Sequence, residues 1–159
     1  MTTNLYTFGY EGIDIDAFVA RLLQADVRTI VDVRELPLSR KKGFSKNSLR
    51  EQLAAVGIRY FHVSPLGCPK EIRDRYREDG NWKEYTRTFM AHLKTQVTAL
   101  RELAKISRSA TTCLICFEAD FSMCHRTYVA REAHRIGAPT VKHLTAKTVF
   151  LDQALRVAA

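Results

Sequence analysis

Residues 111–137 read TTCLICFEADFSMCHRTYVAREAHRIG, and the fold turns on this stretch. Thr111–Phe117 is an apolar, β-rich run with no polar alternation, the pattern of a strand covered on both faces. Ser122 is placed to cap a following helix from about Met123 to Ile136, and Gly137 is placed to stop it. A two-sided buried strand that runs into a helix is half of a βαβ unit, and such strands occur almost only in parallel α/β sheets.

The same alternation extends in both directions. Upstream, Leu5–Phe8 reads as a short strand ending in Gly9-Tyr10-Glu11-Gly12. Asp14 or Asp16 then caps a helix whose apolar face is Ile15, Phe18, Val19 and Leu22, spaced i, i+3, i+4, i+7. Thr29–Val33 is a β-branched strand, and a basic loop with Pro37 and Gly43 leads to a helix from about Asn47 to Val56, closed by Gly57. Ile58–Val63 is a third strand. Pro65, Gly67 and Pro69 break the chain before a long charged helical region. There Trp82, Tyr85, Phe89, Leu93, Val97, Leu100 and Leu103 keep a three-or-four spacing, which predicts a core-facing stripe. Downstream, Thr140–Leu144 predicts a fifth strand and Thr148–Val157 a last helix. The expectation is a single α/β domain over residues 1–159, with a mainly parallel sheet of about five strands and helices on both faces.

Composition agrees with that reading. The 159 residues are 46% hydrophobic and 26% charged. Such usage excludes disordered and low-complexity classes. No apolar run approaches the roughly 18 residues of a membrane span, and the opening residues lack the pattern of a signal peptide. A cytoplasmic protein with no membrane partner and reduced thiols at Cys68, Cys113, Cys116 and Cys124 is expected. The formal charge is +8, concentrated in two segments. One holds Arg34, Arg40, Lys41, Lys42, Lys46 and Arg50; the other holds Arg126, Arg131, Arg135 and Lys142. Acids flank both, among them Asp32, Glu51, Glu118 and Asp120, so the pattern favours a mixed-charge pocket over a broad basic face.

In open α/β sheets ligands bind beyond the carboxyl ends of the strands. The residues at those ends are Tyr10 and Glu11, Asp32 and Arg34, His62 and Ser64, Glu118 and Asp120, and His143. Asp32 and Arg34, two apart on a strand, share one face; an Arg fork suits phosphate or carboxylate, and the Asp can orient it or act as a base. Alternatively the pair only fixes its loop. Cys116 and Glu118 share a face of the fourth strand, and Cys124, His125 and Arg126 fall in the first turn of the next helix, where free N–H groups favour an anion or a thiolate. Three chemistries follow: Cys124 as a nucleophile; Glu118 as reacting carboxylate beside an anion held by Arg126; or a metal on Cys116, Cys124, His125 and Glu118. The spacing lacks the paired short intervals usual for zinc, and the two thiols of Cys113-Leu-Ile-Cys116 face opposite ways on a strand, so no metal or other cofactor is favoured.

Tyr10-Glu11-Gly12, Asp32-Val33-Arg34 with Pro37 and Ser39, Gly57-Ile58-Arg59-Tyr60 followed by Leu66-Gly67, and Cys116-x-Glu118 with Cys124-His125-Arg126 together resemble the bacterial family called domain of unknown function 488. The likeness runs from about Tyr6 to Leu144 and implies a compact α/β cytoplasmic protein. Cys68 departs from it, standing where a second glycine would follow Leu66-Gly67. The resemblance brings no reaction with it, but its motifs are the two segments selected above on physical grounds.

The resulting expectation is a small enzyme acting on a phosphate-bearing small molecule, a nucleotide or nucleic acid. Glu118, Asp32, Cys124 and His125 are the catalytic candidates; Arg34, Arg126, Ser39, Tyr10 and Glu11 are the anion-binding candidates. The alternatives are a non-catalytic nucleic-acid or nucleotide-binding module using Arg40, Lys41, Lys42 and Lys46, and a thiol or metal site on Cys116 and Cys124.

Overall fold

A computed structural model describes residues 2–153. Its sheet has β1 (Leu5–Gly9), β2 (Thr29–Asp32), β3 (Arg59–His62), β4 (Thr112–Cys116), β5 (Val141–Leu144) and β6 (Val149–Leu151), in the order β3-β2-β4-β1-β5-β6. The first five are parallel and β6 runs antiparallel to β5. As the period of two requires, successive residues serve opposite faces. Leu5, Val31 and Leu114 meet α4 (Trp82–Lys94), α5 (Val97–Ser109) and α6 (His125–Arg135). Phe8, Ile30, Cys113 and Ile115 meet α1 (Ile15–Gln24) and α2 (Lys46–Ala54). The strand over 112–116 is fully buried and flanked by β2 and β1, as its unbroken apolar run predicts.

Local signals hold at α1. The Asp14 side chain accepts from Ala17 N at 2.8 Å, and Ile15, Phe18 and Leu22 are buried. This is an ordinary N-cap above an amphipathic face. Elsewhere the structure corrects the sequence reading. The charged region is three helices, because Gly80 in the left-handed conformation (φ 61°) ends α3 (Lys70–Asp79) and Thr95-Gln96 separate α4 from α5. Glycine is the residue that takes this closing conformation without strain. The second break rotates the stripe: Leu93 and Leu100 are buried but Val97 is exposed. Ser122 does not cap α6. Asp120 caps a single 3-10 turn over Phe121–Met123, and Cys124, in extended backbone, holds the position before α6.

The expected helix over Thr148–Val157 is also revised. Residues 149–151 form β6, the sixth strand, and 154–157 lie outside the described residues. A buried polar chain explains the strand. His143 on β5 bonds Thr7 on β1 (2.6 Å) and Asp152 (3.0 Å), and Asp152 accepts both arms of Arg131 from α6 at 2.9 Å each. Phe121 stacks on the His143 ring at 4.1 Å. These bonds tie the segment after β6 into the domain, so the chain adds a strand to the open edge of β5. No helix among the described residues is long and apolar enough to cross a membrane.

Burial works against ionisation of Asp152, but the hydrogen bonds from His143 and Arg131 outweigh it and hold the carboxyl well below the usual carboxylate range. Its stabilising contribution is therefore complete above the unfolded-state pKa of about 3.9 and is lost as pH falls through the depressed folded value. Asp152→Asn is expected to lower the unfolding free energy by about 2 kcal/mol at neutral pH, the cost of the charge-assisted hydrogen bonds it loses, since Arg131 itself is partly exposed. Urea denaturation should show the gap between variant and parent narrowing only below about pH 4.

Candidate functional site

The connection leaving β2 passes through α2 toward β3, whereas that leaving β4 passes through α6 toward β5, on the other face. Neighbouring strands whose connections diverge leave a crevice at their carboxyl ends. A cavity of about 470 Å³ opens there, reached by Tyr10, Arg34, Ser39, Cys116, Glu118, Cys124 and His125.

On the β2 side the sequence pair Asp32 and Arg34 is a closed unit. Asp32 is wholly buried, and its carboxylate accepts Arg34 Nε at 2.9 Å, Arg34 Nη2 at 2.7 Å and the Tyr60 hydroxyl. Arg34 Nη1 donates to Phe44 O (2.6 Å) and to the Tyr10 hydroxyl (3.1 Å). Four of the five guanidinium N–H bonds are thus taken up, which leaves one on Nη2. Burial opposes the Arg34 charge, but the Asp32 pairing dominates and raises its pKa; burial, then the Asp32 charge, pushes the Tyr60 phenol up. Asp32 therefore stands beneath the cavity floor, with Arg34 and Tyr10 above it.

The β4 side is built around a second guanidinium. Arg126 is fully buried and absent from the cavity wall. Its Nη1 donates to Glu118 O and lies 3.2 Å from Cys116 Sγ, its Nη2 reaches Ala119 O, and its Nε has no partner. Among the described residues no carboxylate pairs with it. The loop it holds also lies flush on β1: a Cβ added to Gly9 would fall 1.8 Å from Glu118 O, so glycine alone fits. Glu11, exposed outside the cavity, fastens the same loop by accepting from Ala119 N at 3.0 Å.

So held, Glu118 turns its carboxylate to the cavity. Its Oε2 lies 3.4 Å from Cys116 Sγ and 3.5 Å from Cys124 Sγ. His125 Nε2 donates to Val33 O at 2.7 Å, and Nδ1 faces Cys124 Sγ at 3.9 Å. With the proton on Nε2, the Nδ1 lone pair is the one turned to the thiol. The sulfurs of Cys116 and Cys124 and the ring nitrogen of His125 lie within 4.8 Å of one another. Burial pushes the Cys116 thiol well up and the Cys68 thiol up to about 11, and it likewise raises Cys113, which faces the opposite side of the sheet. In each case the charged form loses its hydration.

The opposite wall was hidden from sequence reasoning. Trp82 and Tyr85, expected in the core stripe, stack at 4.5 Å; Tyr85 is buried, but both rings reach the cavity, with Tyr76 edge-on to them. Arg73 and Arg77 from α3 stand beside them, Arg73 paired with Glu35 at 2.7 Å. Three aromatics within ten residues at the Gly80 break were the available signal, since such a break frees a helix end from the core-facing register. Leu36, Leu38, Phe117 and Met123 are exposed apolar side chains around the mouth.

A family model described as "Domain of unknown function DUF488" matches residues 14–133, from the cap of α1 to the last turns of α6, leaving Tyr10-Glu11-Gly12 outside. No curated protein and no solved structure matches the chain.

Two outcomes follow from the geometry. Asp32→Asn leaves the buried Arg34 charge without its counter-ion and is expected to cost about 4 kcal/mol of stability, measured by chemical denaturation. In the reduced, folded protein Cys68 and Cys113 should resist alkylation at pH 7 and react fully once denatured, a difference read by mass spectrometry.

Proposed function

The chain belongs to the DUF488 family, and we propose that it is a small enzyme acting on a phosphate-bearing substrate, a nucleotide or the end of a nucleic acid, in the cavity between the ends of β2 and β4. The observation that carries this reading is the Glu118 carboxylate, turned into that cavity and held from behind by Arg126 and Gly9. A carboxylate on an immobilised backbone, open on its reactive side, is suited to general acid–base or nucleophilic work.

The remaining side chains divide into roles around it. The free Arg34 Nη2 hydrogen, Ser39 and the α3 arginines Arg73 and Arg77 would receive the phosphate, and Trp82 with Tyr76 would take the face of a base. Asp32 positions Arg34, and Arg126 positions the Glu118 backbone; neither needs to touch substrate. Cys124 and His125 complete the floor beside Glu118. The non-catalytic reading draws on a different observation: Arg40 and Lys42 lie on the loop that brings Ser39 to the cavity, a surface for a longer polyanion. Lys41 is less free, because its ammonium donates to Tyr10 O at 2.8 Å.

Trp82 is the only tryptophan and lines the cavity, so its fluorescence reports binding directly. Nucleoside monophosphates and 5′- or 3′-phosphorylated oligonucleotides are expected to change that fluorescence, and Arg77→Ala should weaken binding about fivefold, as for a rim contact worth ~1 kcal/mol. Glu118→Gln should keep both this binding and the urea midpoint while abolishing turnover of the ligand that binds. An unperturbed Trp82 across the panel, or a Glu118→Gln protein that turns substrate over normally, would overturn the enzyme reading. Binding that collapses with salt but ignores Glu118 would favour the non-catalytic module.

A further inference from the structure

The geometry points to a metal site on Cys116, Cys124 and His125, with the fourth position open to the cavity beside Glu118, for a divalent cation of the zinc class. This inference does not rest on Glu118 being the reacting carboxylate; it concerns what the cluster holds.

The first support is dimensional. In a tetrahedral zinc centre with Zn–S of about 2.3 Å and Zn–N of about 2.1 Å, a sulfur and a nitrogen stand about 3.6 Å apart. Cys124 Sγ lies 3.9 Å from His125 Nδ1, and the three donors of the two thiols and the ring stay within 4.8 Å of one another. Small side-chain rotations bring them onto one centre. Two sulfurs and an imidazole select a zinc-class ion over magnesium or calcium, which prefer oxygen.

The second support is the histidine's outer bond. His125 Nε2 donates to Val33 O at 2.7 Å, which places the proton on Nε2 and turns the Nδ1 lone pair inward. A ligating histidine is typically held in this way, its far nitrogen bonded to a carbonyl or carboxylate.

The third support is the buried guanidinium lying against the cluster. Arg126 is buried, with no carboxylate among its contacts, and Cys116 Sγ is the ionisable group it touches, at 3.2 Å. Its guanidinium keeps its charge at any accessible pH. That fixed charge against the cluster suits an anionic donor set, such as two cysteines present on a divalent ion.

The test uses the whole chain. Protein purified under reducing conditions, stripped with a chelator and dialysed against zinc should retain about one equivalent by elemental analysis and melt at a higher temperature than the stripped form. Loading the unmutated chain with cobalt(II) should give the intense visible bands of a tetrahedral ion and an ultraviolet thiolate charge-transfer band. Cys116→Ser and Cys124→Ser should bind zinc at least about tenfold more weakly in competition with a chromophoric chelator, while Cys68→Ser and Cys113→Ser match the parent. The proposal is overturned if the reduced parent retains no zinc, or if its cobalt spectrum lacks the thiolate band. A Cys116–Cys124 disulfide with no metal uptake after reduction, or loss of binding in Cys113→Ser alone, would also overturn it. The cobalt spectrum needs no substitution, so a variant that fails to fold leaves the test intact.

Discussion

A guanidinium that cannot reach water governs the carboxyl end of this sheet. Arg126 cannot shed its charge, so the chain must bring acceptors to it, and those acceptors are the backbone oxygens of Glu118 and Ala119 and the sulfur of Cys116. A loop required to present its carbonyls downward must present its side chains elsewhere. Glu118 consequently faces the cavity, and the loop lies close enough to β1 that position 9 accepts only glycine. The buried charge is thus a positional constraint more than a source of stability, since desolvation offsets much of what its bonds contribute.

The cavity's other side follows the same logic with a different partner. Arg34 is nearly as buried, but there Asp32 supplies a full counter-charge and Tyr60 and Tyr10 close the arrangement. The two guanidinium groups stand at the ends of adjacent strands, one served by a carboxylate and one by carbonyls and thiols. That asymmetry divides the crevice into a rigid charged floor at β2 and a cysteine-rich, charge-imbalanced one at β4. It is also why the two motifs, similar as sequence patterns, do different things.

Much of the architecture was legible locally. Asp14 as the cap of α1, the uninterrupted apolar run over 112–116 as an interior strand, and the opposed faces of Cys113 and Cys116 all follow from short-range periodicity and hydrogen-bond demand. Where reading failed, a non-local contact decided. Val97 kept the helical spacing but fell beyond a break; residues 149–151 look helical until His143 and Arg131 capture Asp152. Ser122 had the chemistry of a cap, yet Asp120 closed the preceding turn first. Arg126 read as an anion binder because position at a helix start is visible in sequence, whereas depth beneath a loop is not.

By itself, then, the sequence determined the alternation of strands and helices and the identity of the polar residues at each strand end. Both depend on interactions within a few residues. Only the tertiary structure decided that β2 and β4 are neighbours, and with it that Val33 O meets His125 and that Trp82 turns from core stripe to cavity wall. Strand order depends on which buried faces match across the whole sheet, and no window of periodicity contains that information. The clustering of Cys116, Cys124 and His125 stands between the two levels: the residues are close in sequence, but their donor atoms converge only where the loop folds over the buried Arg126.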